Sequence, residues 1–123
     1  MTQQETVKGL LRFEEKCLRF LVSCKKRQNH REVCAAFAIL ARLSKVSDQI
    51  AKRSDEAARD YVWSKFSALH KDFTEMSIVL VRAFHNDGRA PLNDELMELL
   101  TDAYRVERDL CEYTRFAFTH LYL

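Results

Sequence analysis

Chain-breaking residues are the scarcest thing in this sequence, with two Gly and one Pro among 123 residues. Average usage over that length would supply roughly nine Gly and six Pro. A β-rich fold places such residues at its tight turns. Without them the expected class is all-α, and helical periodicity is the pattern to follow.

From about Glu5 to Lys26, Val7, Leu10, Leu11, Cys17, Leu18, Leu21 and Val22 recur at the i, i+3, i+4, i+7 spacing of one buried stripe, widened on one side by Phe13, Phe20 and Cys24. The polar run Arg27-Gln28-Asn29-His30 is a turn, with Asn29 as N-cap. A second helix is expected from about Arg31 to Arg53. Its first half, VCAAFAILARL, is apolar nearly all round, which predicts burial on several sides, and Ala35, Ala36, Ala38 and Ala41 would let a neighbour approach closely. Ser54-Asp55-Glu56 has the chemistry of a helix start, a capping side chain followed by acids. No Gly or Pro enforces that break, so helices two and three are either separate or one bent rod.

The third helix, about Asp55 to His85, carries Val62, Phe66, Leu69, Phe73, Met76, Leu80 and Ala83 at alternating steps of four and three, a bundle seam. The segment from Asn86 to Pro91 holds the single Pro and is the clearest loop. Asn93 is expected to cap a fourth helix, with Leu92 stapled onto Met97. That helix bears the seam Leu96, Leu99, Ala103, Val106, Leu110, Tyr113, Ala117 and runs nearly to Leu123. Four long helices with short connections predict one antiparallel, up-down-up-down four-helix bundle spanning 1–123 as a single domain.

The longest charge-free stretch, Val33 to Ala41, has nine residues, and a membrane span needs about 20. The first ten residues hold no apolar run of signal-peptide length. Those two readings point to the cytoplasm or nucleus, where Cys17, Cys24, Cys34 and Cys111 are expected as buried thiols. Net charge is +2, yet residues 1–53 carry 12 Lys+Arg against 5 Asp+Glu, and residues 54–123 carry 8 against 13. Such polarised halves place a basic surface against an acidic one, within the fold or across to a partner.

Two candidate partner surfaces follow. Lys25, Lys26, Arg27, His30 and Arg31 crowd the first turn, and in an up-down-up-down bundle Arg89 and His85 share that end. A compact positive corner suits an acidic protein surface or nucleic acid, although no aromatic residue interleaves there for base stacking. The second is an apolar surplus on helix three, where Trp63, Ile78, Val81 and Phe84 lie off the main seam, with Tyr104, Phe118 and Tyr122 a weaker stripe on helix four. A stable protein partner or a homo-oligomer is the corresponding expectation.

Catalytic and metal-binding signals are sparse. No CxxC, His pair at i, i+4, Glu-x-x-His, Gly-rich phosphate loop or H-E-x-x-H occurs, so no cofactor, metal or small-molecule substrate is expected. Ala68-Leu69-His70-Lys71 is similar to the helical histidine-phosphotransfer domains, but Asp72 and Phe73 stand where that family has a Gly after the Lys. Arg115-Phe116-Ala117-Phe118-Thr119-His120 resembles the HEPN family of ribonucleases and toxins, an Arg followed by four residues and a His late in a small helical domain. The resemblance implies that Arg115 and His120 act together on RNA phosphodiesters. The family usually has a polar residue where this chain has Phe116, and on a continuous helix two positions five apart point about 140° from each other. The expectation that best accounts for the whole sequence is a non-catalytic helical protein–protein interaction module, an adaptor, assembly factor, inhibitor or effector subunit. The alternatives are a nucleic-acid-associated protein using the 25–31 corner and a HEPN-like ribonuclease.

Overall fold

The computed structural model describes residues 1–23, 30–87 and 93–114. Four helices account for almost all of them: α1 (Gln3–Ser23), α2 (His30–Lys52), α3 (Asp55–Asp87) and α4 (Asn93–Thr114). Each packs on its chain neighbours and α1 also packs on α4, which closes a four-helix bundle. Helices α2 and α3 are therefore side by side, not diagonal across the centre as full burial of their apolar surplus would need. The contact that crosses the centre joins α1 to α3, where the Phe13 and Phe73 rings lie 5.8 Å apart and tilted.

Local chemistry starts two of the helices. The Thr2 hydroxyl oxygen accepts the Glu5 N–H at 3.1 Å and the hydroxyl donates to the Glu5 carboxylate, an N-cap on α1. Ser54 does the same for α3, its Oγ accepting the Ala57 N–H at 3.3 Å. That cap separates α2 from α3 without Gly or Pro and settles the question of one rod or two. Gln3 stops α2 from the outside. Its amide donates to the Ile50 carbonyl at 2.6 Å, which also accepts the Arg53 N–H at 3.3 Å, and to the Arg53 carbonyl at 2.8 Å, supplying donors at a helix C-terminus that runs out of its own.

The seams of α3 and α4 are buried as their spacing predicts, from Val62 to Ala83 and from Leu96 to Tyr113. The α1 stripe is rotated from the expected one. Leu10, Phe13, Cys17, Phe20 and Leu21 are buried, whereas Leu11, Leu18 and Val22 are exposed. Phe13 and Phe20 carry more apolar area than the residues they displace, and burying a side chain of this class contributes about 1.5–3 kcal/mol. Helix α2 departs from expectation too. Ala36, Ile39, Leu40 and Leu43 are buried, but Cys34, Phe37, Ala38 and Ala41 are exposed, so it is not enclosed on several sides.

Asn29 and Leu92, and with them the first-turn cap and the staple on Met97, lie outside the described residues, as do Cys24, Ala117 and everything beyond Thr114. Met97 itself is exposed. No helix among the described residues is long and apolar enough to cross a membrane.

Candidate interaction surfaces

Part of the charge polarity of the sequence is met inside the bundle, at Lys16 and Arg42 among the described residues. On α1, Lys16 Nζ donates to Asp102 at 2.8 Å and to Glu98 at 2.9 Å on α4. These hydrogen bonds, Asp102 first, hold the Lys16 pKa above its ordinary value. On α2, Arg42 donates through Nε and Nη2 to Asp72 of α3 at 3.0 and 2.8 Å, with Glu75 3.7 Å away. The basic half thus faces the acidic half along both α1–α4 and α2–α3.

Two polar clusters have the residue types of chemistry. His70 of α3 pairs through Nδ1 with the buried carboxylate of Glu107 on α4, so the histidine of the phosphotransfer-like motif fastens two helices together. On the α1–α4 seam a small notch opens beside Gly9, lined by Arg12, Lys16, Asp102, Arg105 and Asp109. Burial raises the Asp109 pKa, partly countered by Arg108 and Arg105. The cluster sets three cations against two carboxylates, and it holds neither Cys nor Ser as a nucleophile. Among the described residues no group of His, Cys, Asp and Glu is placed to hold a metal ion.

Of the basic corner, Lys25, Lys26, Arg27 and Arg89 lie outside the described residues, as do the side chains of His30 and His85; Arg31 is exposed on the first turn of α2. Arg115 and His120 also lie outside them. Of the apolar candidates, Trp63 and Ile78 are 47% and 46% exposed, while Val81 and Phe84 pack partly buried against the core. The four do not form one face. Ile78 opens toward α2, in a groove shared with Ala38, whereas Trp63 stands one heptad before His70 and so on the flank toward α4.

A more coherent apolar surface lies where the sequence reading put core. Leu11, Leu18 and Val22 on α1 are 48%, 40% and 60% exposed, and Phe37 on α2 is 47% exposed. Helix geometry puts them on one flank. Val7 lines a recess with Ala51 of α2, and the Ser47 hydroxyl donates to Glu14 at 3.4 Å, so Val7 and Glu14 mark the side of α1 that faces α2. Leu11 and Leu18 follow those two residues at i+4, and Val22 follows Leu18 at i+4. On α2, Ala51, Ser44 and Phe37 are spaced by heptads, which puts Phe37 on the flank toward α1. Burial raises the Glu14 pKa, with the Ser47 hydrogen bond opposing.

The sequence held a signal for this flank that a single-stripe reading obscures. Leu11/Leu18 and Phe13/Phe20 are two heptad pairs on either side of Leu10 and Cys17, and one helix face cannot bury both against two neighbours. No protein-family model matches this chain, and comparisons with curated proteins and with solved structures find no match either.

Proposed function

We infer that the chain is a non-catalytic helical protein–protein interaction module that works through the α1–α2 flank. The observation that carries this reading is the alignment of Leu11, Leu18, Val22 and Phe37 along one flank while a continuous core is complete without them. Scattered exposed hydrophobics are ordinary, whereas a contiguous row of them marks a surface that another molecule covers. Trp63 and Ile78 on α3 and the heptad pair Met97 and Tyr104 on α4 are also exposed and offer a second contact.

The test uses two exposed positions, Val22→Glu and Phe37→Glu. Both variants are expected to keep the thermal unfolding of the parent, because neither side chain belongs to the core. Affinity purification from nuclease-treated native cells is expected to recover a stoichiometric protein with the parent and to lose it with both variants. A companion retained by both variants, or one that vanishes with nuclease, overturns the reading.

A further inference from the structure

We propose that the notch on the α1–α4 seam is a binding site for a small zwitterion, a free α-amino acid whose ammonium sits on Asp109 and whose carboxylate sits on Arg12 and Arg105. The site is separate from the α1–α2 flank and stands or falls independently of it. The register of the two helices carries the inference. Lys16 of α1 meets Asp102 of α4 at 2.8 Å. Gly9 precedes Lys16 by one heptad and Asp109 follows Asp102 by one, so in this antiparallel pair Gly9 stands opposite Asp109. Where the first carboxylate has a lysine, the second has no side chain across from it. Gly9 and Asp109 accordingly line one opening of about 110 Å³. Among the described residues no hydrogen bond or ion pair reaches the half-buried Asp109 carboxylate. Burial raises its pKa, Glu112 acts in the same direction, and Arg108, Arg105 and the amino terminus offset this only in part. A carboxylate so placed gains from a cation delivered to it directly.

Gly9 is not needed by the fold. Glycine inside a helix is destabilising relative to alanine, and a Cβ there would meet nothing within 4 Å. No neighbouring atom requires the missing side chain, and what it provides is open space beside Asp109. One turn further along both helices the charge changes sign. Arg12 follows Gly9 by three residues, Arg105 precedes Asp109 by four, and both line the notch. Arg12 makes no ion pair among the described residues, and Arg105 has a 3.4 Å contact to Asp102, a carboxylate already engaged by Lys16. Two forked guanidiniums from opposite walls suit one carboxylate. An anion alone would meet Asp109 and a cation alone would meet the arginines, whereas a zwitterion satisfies both. The opening is well below the roughly 300–1,000 Å³ of drug-sized ligand sites, which limits the occupant to a few non-hydrogen atoms.

Glycine, methylamine and acetate are the probes, since the last two each carry one of glycine's two charges. Titrated into the whole chain and followed by amide NMR, glycine is expected to give saturable shifts at Gly9, Arg105 and Asp109. Its Kd is expected at about 1 mM or tighter, within reach of a ligand of so few atoms. Methylamine and acetate are each expected to bind at least about tenfold more weakly, for want of one charged contact. Gly9→Ala fills the opening while keeping the helix, and Asp109→Asn removes the partner of the ammonium where its charge is desolvated. Both variants are expected to unfold at or above the temperature of the parent and to weaken glycine at least about tenfold. Arg12→Gln is expected to weaken glycine and acetate and to leave methylamine no weaker. Glycine bound no more tightly than acetate makes the notch an anion site, and glycine bound no more tightly than methylamine makes it an amine site; either result overturns the zwitterion. Undiminished glycine binding in both Gly9→Ala and Asp109→Asn places the ligand elsewhere and overturns the site. Shifts that stay linear far above that Kd overturn it as well. None of these results bears on a companion recovered through Val22 and Phe37.

Discussion

Cys17 and Cys111 are buried thiols whose pKa is pushed from the ordinary 9.0 up to about 12, by burial first and then by nearby carboxylates, Asp102 and Glu14 for Cys17 and Glu107 for Cys111. The thiolate is the reactive form, so these two are inert at neutral pH. Cys34, exposed on α2, corrects the expectation that the cysteines are all buried. Alkylation at pH 8 followed by peptide mapping is expected to modify Cys34 and to spare Cys17 and Cys111 until denaturant is added. The same shifts have a sign in stability. Acids with a raised folded pKa contribute stability that is whole below their unfolded pKa and lost as pH rises through the folded one. Tyr113, raised from 10.0 to about 12 by burial and by its hydrogen bond to Asp55, adds to the effect. Thermal unfolding is therefore expected to stay level up to pH 9 and to fall between pH 9 and about 12, and a curve flat across that window would refute the assignment. Gly9 is a third case. A Cβ there would meet nothing within 4 Å, so Gly9→Ala is expected to stabilise the chain by about 0.5–1 kcal/mol, measured by urea unfolding.

At the scale of the helix, the informative element is α1, where adjacent leucines have opposite fates. Leu10 is fully buried and Leu11 half-exposed. Leu10→Ala is expected to cost about 2–5 kcal/mol, whereas Leu11→Ala or Leu18→Ala stays within about 0.5–1 kcal/mol of the parent. Equal losses at Leu10 and Leu11 would show that the flank is core after all. The seams of α3 and α4 were legible beforehand because each has one dominant apolar row, so period alone assigns the inner face. On α1 two rows compete, and only the positions of α2, α3 and α4 decide between them. Thr2, unnoticed as a cap, was legible in principle from Glu5 three residues later.

Across the whole molecule, one end of the bundle is tied among the described residues by Gln3 between α1 and α2 and by Arg59 between α3 and α4. Arg59 donates Nε to Asp55 at 3.0 Å and Nη1 to the Tyr113 carbonyl, while its guanidinium lies 4.3 Å over the Tyr113 ring. The Tyr113 hydroxyl donates to Asp55 Oδ1 at 3.1 Å, completing the circuit between the start of α3 and the end of α4. Arg59→Ala is expected to lower stability by about 1–3 kcal/mol through loss of the charged donor to the Tyr113 carbonyl. Arg59→Lys is expected to recover little of it, since an ammonium has neither the planar fork nor the same stacking. Full recovery in chemical denaturation would assign the effect to charge alone. Polarised charge was evident from counting residues, but which cations meet an acid across a seam, Lys16 and Arg42 among the described residues, follows from which helices are neighbours.

Two properties of this chain came from the sequence alone. The near absence of Gly and Pro made it helical, because backbone geometry is a local matter, and the seams of α3 and α4 fixed their inner faces, because a single apolar row admits one orientation. The tertiary structure decided the rest. Which leucines of α1 face solvent, which cations remain without an internal acid, and where an apolar flank stays uncovered all depend on what stands opposite each helix. That information belongs to pairs of elements and not to any one stretch of chain.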